Sequence, residues 1–194
     1  MRARFLLLLA FALIAPALAR PAFADEPAVQ IKGAEGTELS AKEEKEVKKT
    51  LSDYLEALQK QDYRKAGELI DRPSLLAAVD PMVATIAADS TSRPAAMRKI
   101  FGVSTRDSIE ARSNGQLFDA LMAYMMEVNP DAAGVLSKAT IDVLAARRMG
   151  DRVHVAYRLT LPPAEAGGMP YEQITAQRLS KFDGKWRILF SLQQ

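Results

Sequence analysis

The chain has 194 residues, 26 basic against 24 acidic side chains, 48% apolar residues, no cysteine and one histidine. This length and composition suit one globular domain and exclude a disordered or collagen-like chain. Without cysteine the chain forms no disulfide, thiolate metal site or thiol nucleophile, and one histidine cannot build a multi-histidine metal centre.

The N-terminus has the pattern of a secretory signal peptide. Arg2 and Arg4 precede an apolar stretch over 5–15, and a small-residue motif at 22–24 predicts cleavage that removes residues 1–24. Removal leaves 23 basic and 24 acidic residues, so the processed chain has no excess of positive charge. We therefore expect no nucleic-acid partner. The apolar stretch is shorter than the roughly 20 residues that span a bilayer. We therefore expect a soluble periplasmic protein with no stable membrane insertion.

The next segments predict a leader and then two helices. Residues 25–39 contain Pro and Gly without an apolar period, which predicts a flexible leader before a single domain over 40–194. Ser40 and Glu43 form a capping box that begins the first helix, and Asp62 caps a shorter second helix. The apolar stripe of the first helix consists of Val47, Leu51, Tyr54, Leu55 and Leu58.

The middle of the chain, 73–135, predicts several short helices. Pro81 and Pro94 are typical of first helical turns, Gly102 of a helix end, and the clearest apolar period lies over 116–128. Five methionines of this segment could indicate soft Cu(I) ligation, but their helical spacing favours core packing, and we predict no cofactor.

After Gly134 the apolar period changes from helical to alternating. Strands are predicted over 140–148, 152–161, 171–180 and 186–192, with hairpin turns at 150–151 and 183–184. Helices followed by a meander predict an α+β fold, in which N-terminal helices pack on a curved antiparallel sheet of about four strands, with a helical elaboration in the middle.

Two parts of the sequence resemble nuclear transport factor 2-like (NTF2-like) domains. The segment VKKTLSDYLEALQKQDYRKAGELI, 47–70, is similar to their opening helices. GDRVHVAYRLTL and QRLSKFDGKWRILF, 150–161 and 177–190, resemble their last strands. The resemblance implies an α+β cone with a pocket between the first helix and the sheet, and a homodimer formed through the outer sheet face.

This superfamily contains isomerases, dehydratases and non-catalytic members, so the fold alone does not give the function. In the isomerases, a tyrosine on the first helix donates to the substrate oxyanion, and the resemblance assigns Tyr54 to that place. Their catalytic base follows the second helix. There this chain has Asp71 and Asp80, which are typical of a helix stop and a cap and offer no convincing counterpart.

Strand register predicts the side chains that face the helices. With residues 150–151 at the centre of their turn, Asp142 lies opposite Leu159, and Leu144 lies opposite Tyr157. The core-facing side then carries four polar residues, Asp142, Gln173, Thr175 and Gln177. A buried polar group without a partner costs roughly 1–3 kcal/mol, so these groups either bond internally, reach the rim of the sheet or line a pocket. The predicted ligand-binding pocket is lined by Tyr54, Asp142, Tyr157, Gln173, Thr175 and Gln177.

Three functions are compatible with these sequence features. The first is an exported, non-catalytic binding or accessory protein of the cell envelope, with a small apolar molecule or an envelope protein as partner. The alternative is an isomerase or dehydratase, with Asp142 as general base and Tyr54 or Tyr157 as oxyanion donor. A third is protein binding through the outer sheet face, around Arg147, Arg158, Arg178 and Leu189.

Overall fold

The structure, a computed structural model, describes residues 36–87, 93–163 and 169–190. The predicted signal peptide and leader residues 25–35 lie outside these ranges. The fold is α+β, as predicted, with helices packed against an open four-stranded antiparallel sheet. The helices are α1 Ala41–Gln59, α2 Tyr63–Glu68, α3 Arg72–Ala87, α4 Arg93–Phe101, α5 Arg106–Glu110, α6 Asn114–Val128 and α7 Asp131–Leu136. The strands are β1 Thr140–Met149, β2 Arg152–Leu161, β3 Tyr171–Phe182 and β4 Lys185–Ile188.

The capping signals that begin the first two helices are confirmed. The Ser40 hydroxyl accepts a hydrogen bond from the Glu43 backbone, and the Glu43 carboxylate accepts one from the Ser40 backbone, each at 3.3 Å. Asp62 accepts from the backbone of Lys65 at 3.1 Å. The buried residues of α1 are Val47, Leu51, Tyr54, Ala57 and Leu58. Because these positions recur at helical spacing, α1 presents one continuous apolar stripe to the core.

Helices α3 to α7 form the predicted helical middle. Pro94 lies in the first turn of α4 and Gly102 follows its end, as predicted. The prediction that Pro81 marks a helix start is wrong, because Pro81 lies inside α3. Asp71 accepts from the backbone of Ser74 at 3.0 Å and so starts this helix earlier. Buried apolar residues on both sides of Pro81 carry α3 past it.

Helices α2 and α6 cross where two glycines meet. A Cβ atom on Gly67 would lie 2.7 Å from the Asn114 carbonyl oxygen, and one on Gly115 would lie 2.7 Å from the Arg64 carbonyl oxygen. Both distances are shorter than real Cβ contacts allow. The glycines therefore permit an approach of the two backbones that any larger residue would prevent.

The sheet has the strand order β1-β2-β3-β4, and α1 packs on the face that we call the inner face. The last hairpin pairs Leu179 with Ile188, as predicted. Both edge strands have neighbours: Thr37 exchanges two 3.0 Å backbone hydrogen bonds with Arg148 of β1, and Ile70 forms a parallel bridge to Ile188 of β4. Thr37, which was predicted to belong to the flexible leader, is therefore held at the edge of the sheet.

A β-bulge divides β1 into two registers. From Met149 to Ala145 the pairs follow the predicted hairpin, but beyond Leu144 they shift by one residue, so that Val143 lies opposite Tyr157. Leu144 is the extra residue and is 42% exposed. The predicted pairing of Leu144 with Tyr157 is therefore wrong.

The same shift corrects the position of Asp142. This residue is exposed and lies opposite Arg158, not Leu159, so its predicted place on the core-facing side is wrong. The bulge instead brings Ile141 and Val143 against the core. Burying these two aliphatic side chains is favourable, whereas burying an ionised carboxylate is costly. The bulge places the aliphatic side chains against the core and the carboxylate on the outside.

Candidate functional site

A cavity of about 30 Å³ lies between α1 and the inner face of the sheet. Its lining residues are Leu51, Tyr54, Leu55, Leu58, Leu136, Ala139, Ile141, Tyr157, Leu159, Gln177 and Ile188. The volume accommodates about one or two water molecules. The predicted position between the first helix and the sheet therefore does contain a cavity.

The cavity lies where two apolar clusters meet. The larger cluster includes Leu51, Leu58 and Ile188, and the smaller one joins Leu136 to Leu159. Interiors usually pack without gaps larger than water, so a junction of two clusters is a natural place for such a gap. Eight of the eleven lining residues are aliphatic, which gives the cavity apolar walls.

Tyr54 is placed in this cavity by the helical period of α1. It lies one turn from both Leu51 and Leu58, and its side chain is only 4% exposed. Its hydroxyl is fully buried and has no hydrogen-bond partner among the described residues. Tyr54 therefore lines the cavity and carries a buried hydroxyl without a described acceptor, which is the most distinctive polar feature of the site.

The two tyrosines of the cavity are neutral hydrogen-bond donors at ordinary pH. Burial, and then the neighbouring Tyr157, raise the pKa of Tyr54 far above its ordinary value of 10.0. Burial also raises the pKa of Tyr157 to about 12. Since neither hydroxyl ionises near neutrality, both phenols can donate to a ligand but neither serves as a base there.

Gln177 is the third polar residue in the wall. It lies opposite Val155 on the inner face, as predicted, and is half-buried. Its amide nitrogen donates to the Leu189 carbonyl oxygen at 2.8 Å and to the Arg178 carbonyl oxygen at 3.3 Å. These bonds fix the orientation of the amide at the end of β4.

Gln173 and Thr175 share the inner face but do not line the cavity. The register sets Gln173 opposite Leu159 and Thr175 opposite Tyr157, and both side chains are half-buried. No polar residue in the described part of the chain is fully buried, and Gln173 and Thr175 remain partly open to solvent, which is compatible with the predicted alternative that they reach the rim of the sheet.

Asp142 takes no part in the cavity, because the bulge turns it to the opposite face of the sheet. Among the described residues that line the cavity, none supplies the carboxylate that the isomerase alternative requires beside Tyr54 or Tyr157. None of the lining residues carries a carboxylate, an imidazole or an aliphatic hydroxyl. The site as built can bind by apolar contact and donate hydrogen bonds.

The apolar walls contributed by Leu136, Ala139 and Ile141 were missed by sequence reasoning. Leu136 ends α7 and Ala139 lies in the link to β1, where the sequence has no polar signal. Met82, Met97 and Met125 are buried in the core, which agrees with the packing interpretation of the methionines. In the described ranges no three acidic or histidine side chains cluster as metal ligands would.

Comparisons with protein-family profiles, with curated proteins and with solved structures gave no significant match. Among the helices that the structure describes, none has the length and apolarity needed to cross a bilayer.

Proposed function

We propose that the chain is an exported, non-catalytic binding protein of the cell envelope, whose ligand occupies the cavity between α1 and the inner sheet face. The Tyr54 hydroxyl supports this most strongly, because it is a buried donor without a described acceptor on the cavity wall. A ligand that brings an acceptor relieves a cost of roughly 1–3 kcal/mol. The cavity therefore favours a small apolar molecule with one acceptor, such as a carbonyl oxygen.

A ligand larger than water must displace part of the wall. Helix α7 has only six residues, of which Ala132 and Leu136 are buried, whereas α1 buries five. Fewer buried contacts mean a lower cost of local opening. The ligand therefore enters by displacing Leu136 while α1 and the sheet keep their positions.

We also propose that the chain is an NTF2-like protein located in the periplasm. The open antiparallel sheet with the first helix on its inner face supports the first statement. The signal-peptide pattern of residues 1–24 supports the second.

Native mass spectrometry on the protein purified from its own envelope fraction tests the proposal directly. A discrete bound mass is expected, and its chemistry gives the ligand class. A parallel NMR titration compares cyclohexanone with methylenecyclohexane, which has nearly the same shape but no acceptor oxygen. The ketone should bind more tightly and shift the resonances of α1. Absence of a bound mass, together with equal or no binding of both probes, would contradict the proposal.

The variant Tyr54→Phe isolates the contribution of the unpartnered hydroxyl. We expect it to weaken cyclohexanone binding about fivefold, because a net hydrogen bond is worth about 1 kcal/mol, and to leave methylenecyclohexane binding unchanged. Tyr63→Phe is the matched control, since Tyr63 also has a buried hydroxyl without a described partner but does not line the cavity. Equal effects of the two substitutions would show that Tyr54 acts only through packing.

A further inference from the structure

Within the described ranges, no element packs on the outer face of the sheet, opposite the cavity, across β1, β2 and β3. Side chains that point outward along these strands are exposed or half-buried, whereas inward residues such as Val153, Val155 and Leu179 are fully buried. This face carries charged and apolar residues that the cavity does not use.

Positive charge is concentrated on the half of the outer face next to the two hairpin turns. Arg147 lies opposite His154, which lies opposite Arg178. In the adjacent row, Arg152 lies opposite Ser180, which lies opposite Arg187. The acidic residues of the outer face, Asp142 and Glu172, lie on the other half.

These arginines are poorly neutralised. Arg147 pairs with Glu38 at 3.5 Å and Arg152 with Asp151 at 3.8 Å, and both acids are at least 84% exposed. Within the described ranges no carboxylate lies within 4.0 Å of Arg178. Arg152 is the diagonal neighbour of Arg147 on one adjacent strand and of Arg178 on the other, so their like charges repel, and an anion bound over them would reduce that repulsion.

The charge of these arginines affects the pKa of the histidine that lies between them. Partial burial, and then the positive charges of Arg178 and Arg152, lower the pKa of His154 below its ordinary value. The half-sheet therefore presents a positive potential to solvent.

Two exposed apolar side chains lie at the same end of this face. Met149 is 39% exposed and Phe182 is 61% exposed. Both point outward, since Met149 lies opposite Arg152 and Phe182 lies opposite Lys185 beside the turn. Exposed apolar side chains do not contribute to the binding of a small free anion. A lipid surface, in contrast, has phosphates that pair with the arginines and an apolar layer that accepts the two side chains.

We propose that this basic patch, formed by Arg147, Arg152, Arg178 and Arg187 with Met149 and Phe182, binds the surface of a membrane containing anionic phospholipids. The arginines of neighbouring strands lie side by side on this face, so they can contact several headgroup phosphates at once while Phe182 enters the interface. Arg187 lies at the margin of the patch, where its guanidinium also donates to the Glu68 carbonyl oxygen. The inference is independent of the ligand in the cavity, because patch and cavity lie on opposite faces of the sheet.

Vesicle flotation with the processed full chain tests the proposal. The probes are vesicles of phosphatidylcholine alone and of phosphatidylcholine with 30% phosphatidylglycerol. We expect binding only to the anionic vesicles, and release when salt is raised from 50 to 300 mM. Binding that is equal for both vesicles, or absent at 50 mM salt, would overturn the proposal.

Substitutions locate the contact. Arg152→Gln and Arg178→Gln should each weaken binding about fivefold, because each basic residue near an anionic surface contributes about that factor. The matched control is Arg158→Gln, since Arg158 lies on the same face but on its acidic half and pairs with Glu172 at 3.8 Å. An equal loss with Arg158→Gln would mean that general charge, not the patch, causes binding.

His154 gives a readout that does not depend on binding strength. It is the chain's sole histidine, so one ring resonance reports on the patch. Anionic vesicles should raise its pKa, and neutral vesicles should leave it unchanged. A chain that ignores vesicles but dimerises through this face, or retains an acidic protein there, would overturn the lipid proposal.

Discussion

At the scale of single residues, the candidate site is defined by an imbalance in hydrogen bonding. Within the described ranges, the buried side-chain atoms without a partner are the hydroxyls of Tyr54 and Tyr63 and the indole nitrogen of Trp186. Of these residues, Tyr54 lines the cavity. Buried aromatic residues contribute mainly through their rings, so an unpartnered hydroxyl marks a site only where space for an acceptor adjoins it.

Alkaline pH should destabilise the protein through the cavity tyrosines. Their pKa values are raised by burial, to about 12 for Tyr157 and further for Tyr54, whereas the unfolded chain ionises near 10. Between pH 10 and 12 the folded chain holds protons that the unfolded chain loses. The free energy of unfolding therefore falls, by roughly 1 kcal/mol per pH unit and tyrosine.

Urea unfolding at pH 9 and pH 11 measures this effect. The loss between the two pH values should be smaller in the double variant Tyr54→Phe, Tyr157→Phe than in the wild type. Tyr171→Phe is the control, because Tyr171 is 39% exposed. An equal loss in all three proteins would show that the cavity hydroxyls do not govern alkaline stability.

At the scale of helices and strands, sequence signals that act within one helical turn predicted the helix starts correctly. The competition between side chains for places on the inner face depends on residues distant in sequence and was not predicted. Ser40 and Asp62 cap their helices as predicted, because a cap depends on residues within one turn. The bulge at Leu144 depends instead on which side chains the helices accept on the inner face. The register derived from the hairpin turn does not include the cost of burying a carboxylate. It therefore placed Asp142 on the wrong face.

The same distinction explains the candidate site. Tyr54 follows from the period of α1, and Tyr157 and Gln177 follow from the alternation of β2 and β3. Leu136 and Ala139 become lining residues because α7 packs beside α1, which the sequence alone does not encode in any local pattern. The three polar residues of the wall were therefore predictable, and part of its apolar majority was not.

The crossing of α2 and α6 gives a prediction at this scale. Gly67→Ala should lower the free energy of unfolding by about 1–3 kcal/mol, because its Cβ would lie 2.7 Å from the Asn114 carbonyl oxygen and 2.8 Å from Gly115 Cα, which are backbone atoms. Gly134→Ala in α7 is the control, since nothing lies within 4 Å of its Cβ. That substitution should stabilise by about 0.5–1 kcal/mol. Urea denaturation of both variants checks the pair, and a neutral Gly67→Ala would refute the close approach.

At the scale of the whole molecule, two ion pairs link the helical layer to the sheet at the margin of their shared apolar core. Glu43 of α1 pairs with Arg148 of β1 at 2.6 Å, and Glu46 pairs with Lys181 of β3 at 3.4 Å. Both cations also lie over the Trp186 ring, at 5.8 Å for Arg148 and 5.3 Å for Lys181. The N-terminal half of α1 is thereby fixed above the hairpin ends, while its C-terminal half covers the cavity.

Acid should weaken this attachment. Hydrogen bonds from Ser40, and then the charge of Arg148, lower the pKa of Glu43 below its ordinary value of 4.5. Its contribution to stability is therefore complete above pH 4.5 and is lost as the pH falls through the lowered pKa. Glu43→Gln should reduce the melting temperature at pH 7, and the difference from wild type should vanish at low pH. Lys49→Gln, which breaks the exposed pair with Asp53 within α1, is the control. A difference that persists unchanged at about pH 2 would contradict this explanation.

The bulge at Leu144 also hinders the pairing of β1 with a strand from another copy of the protein. β1 is an edge strand, and a long regular edge offers unpaired backbone groups on which another chain can build a strand. The bulge interrupts that array near its middle, and Thr37 occupies the end at Arg148. The remaining stretches of regular edge are short, so strand-by-strand growth into aggregates has no long template. The irregularity that keeps Asp142 out of the core thus also shortens the template that β1 offers for cross-β assembly.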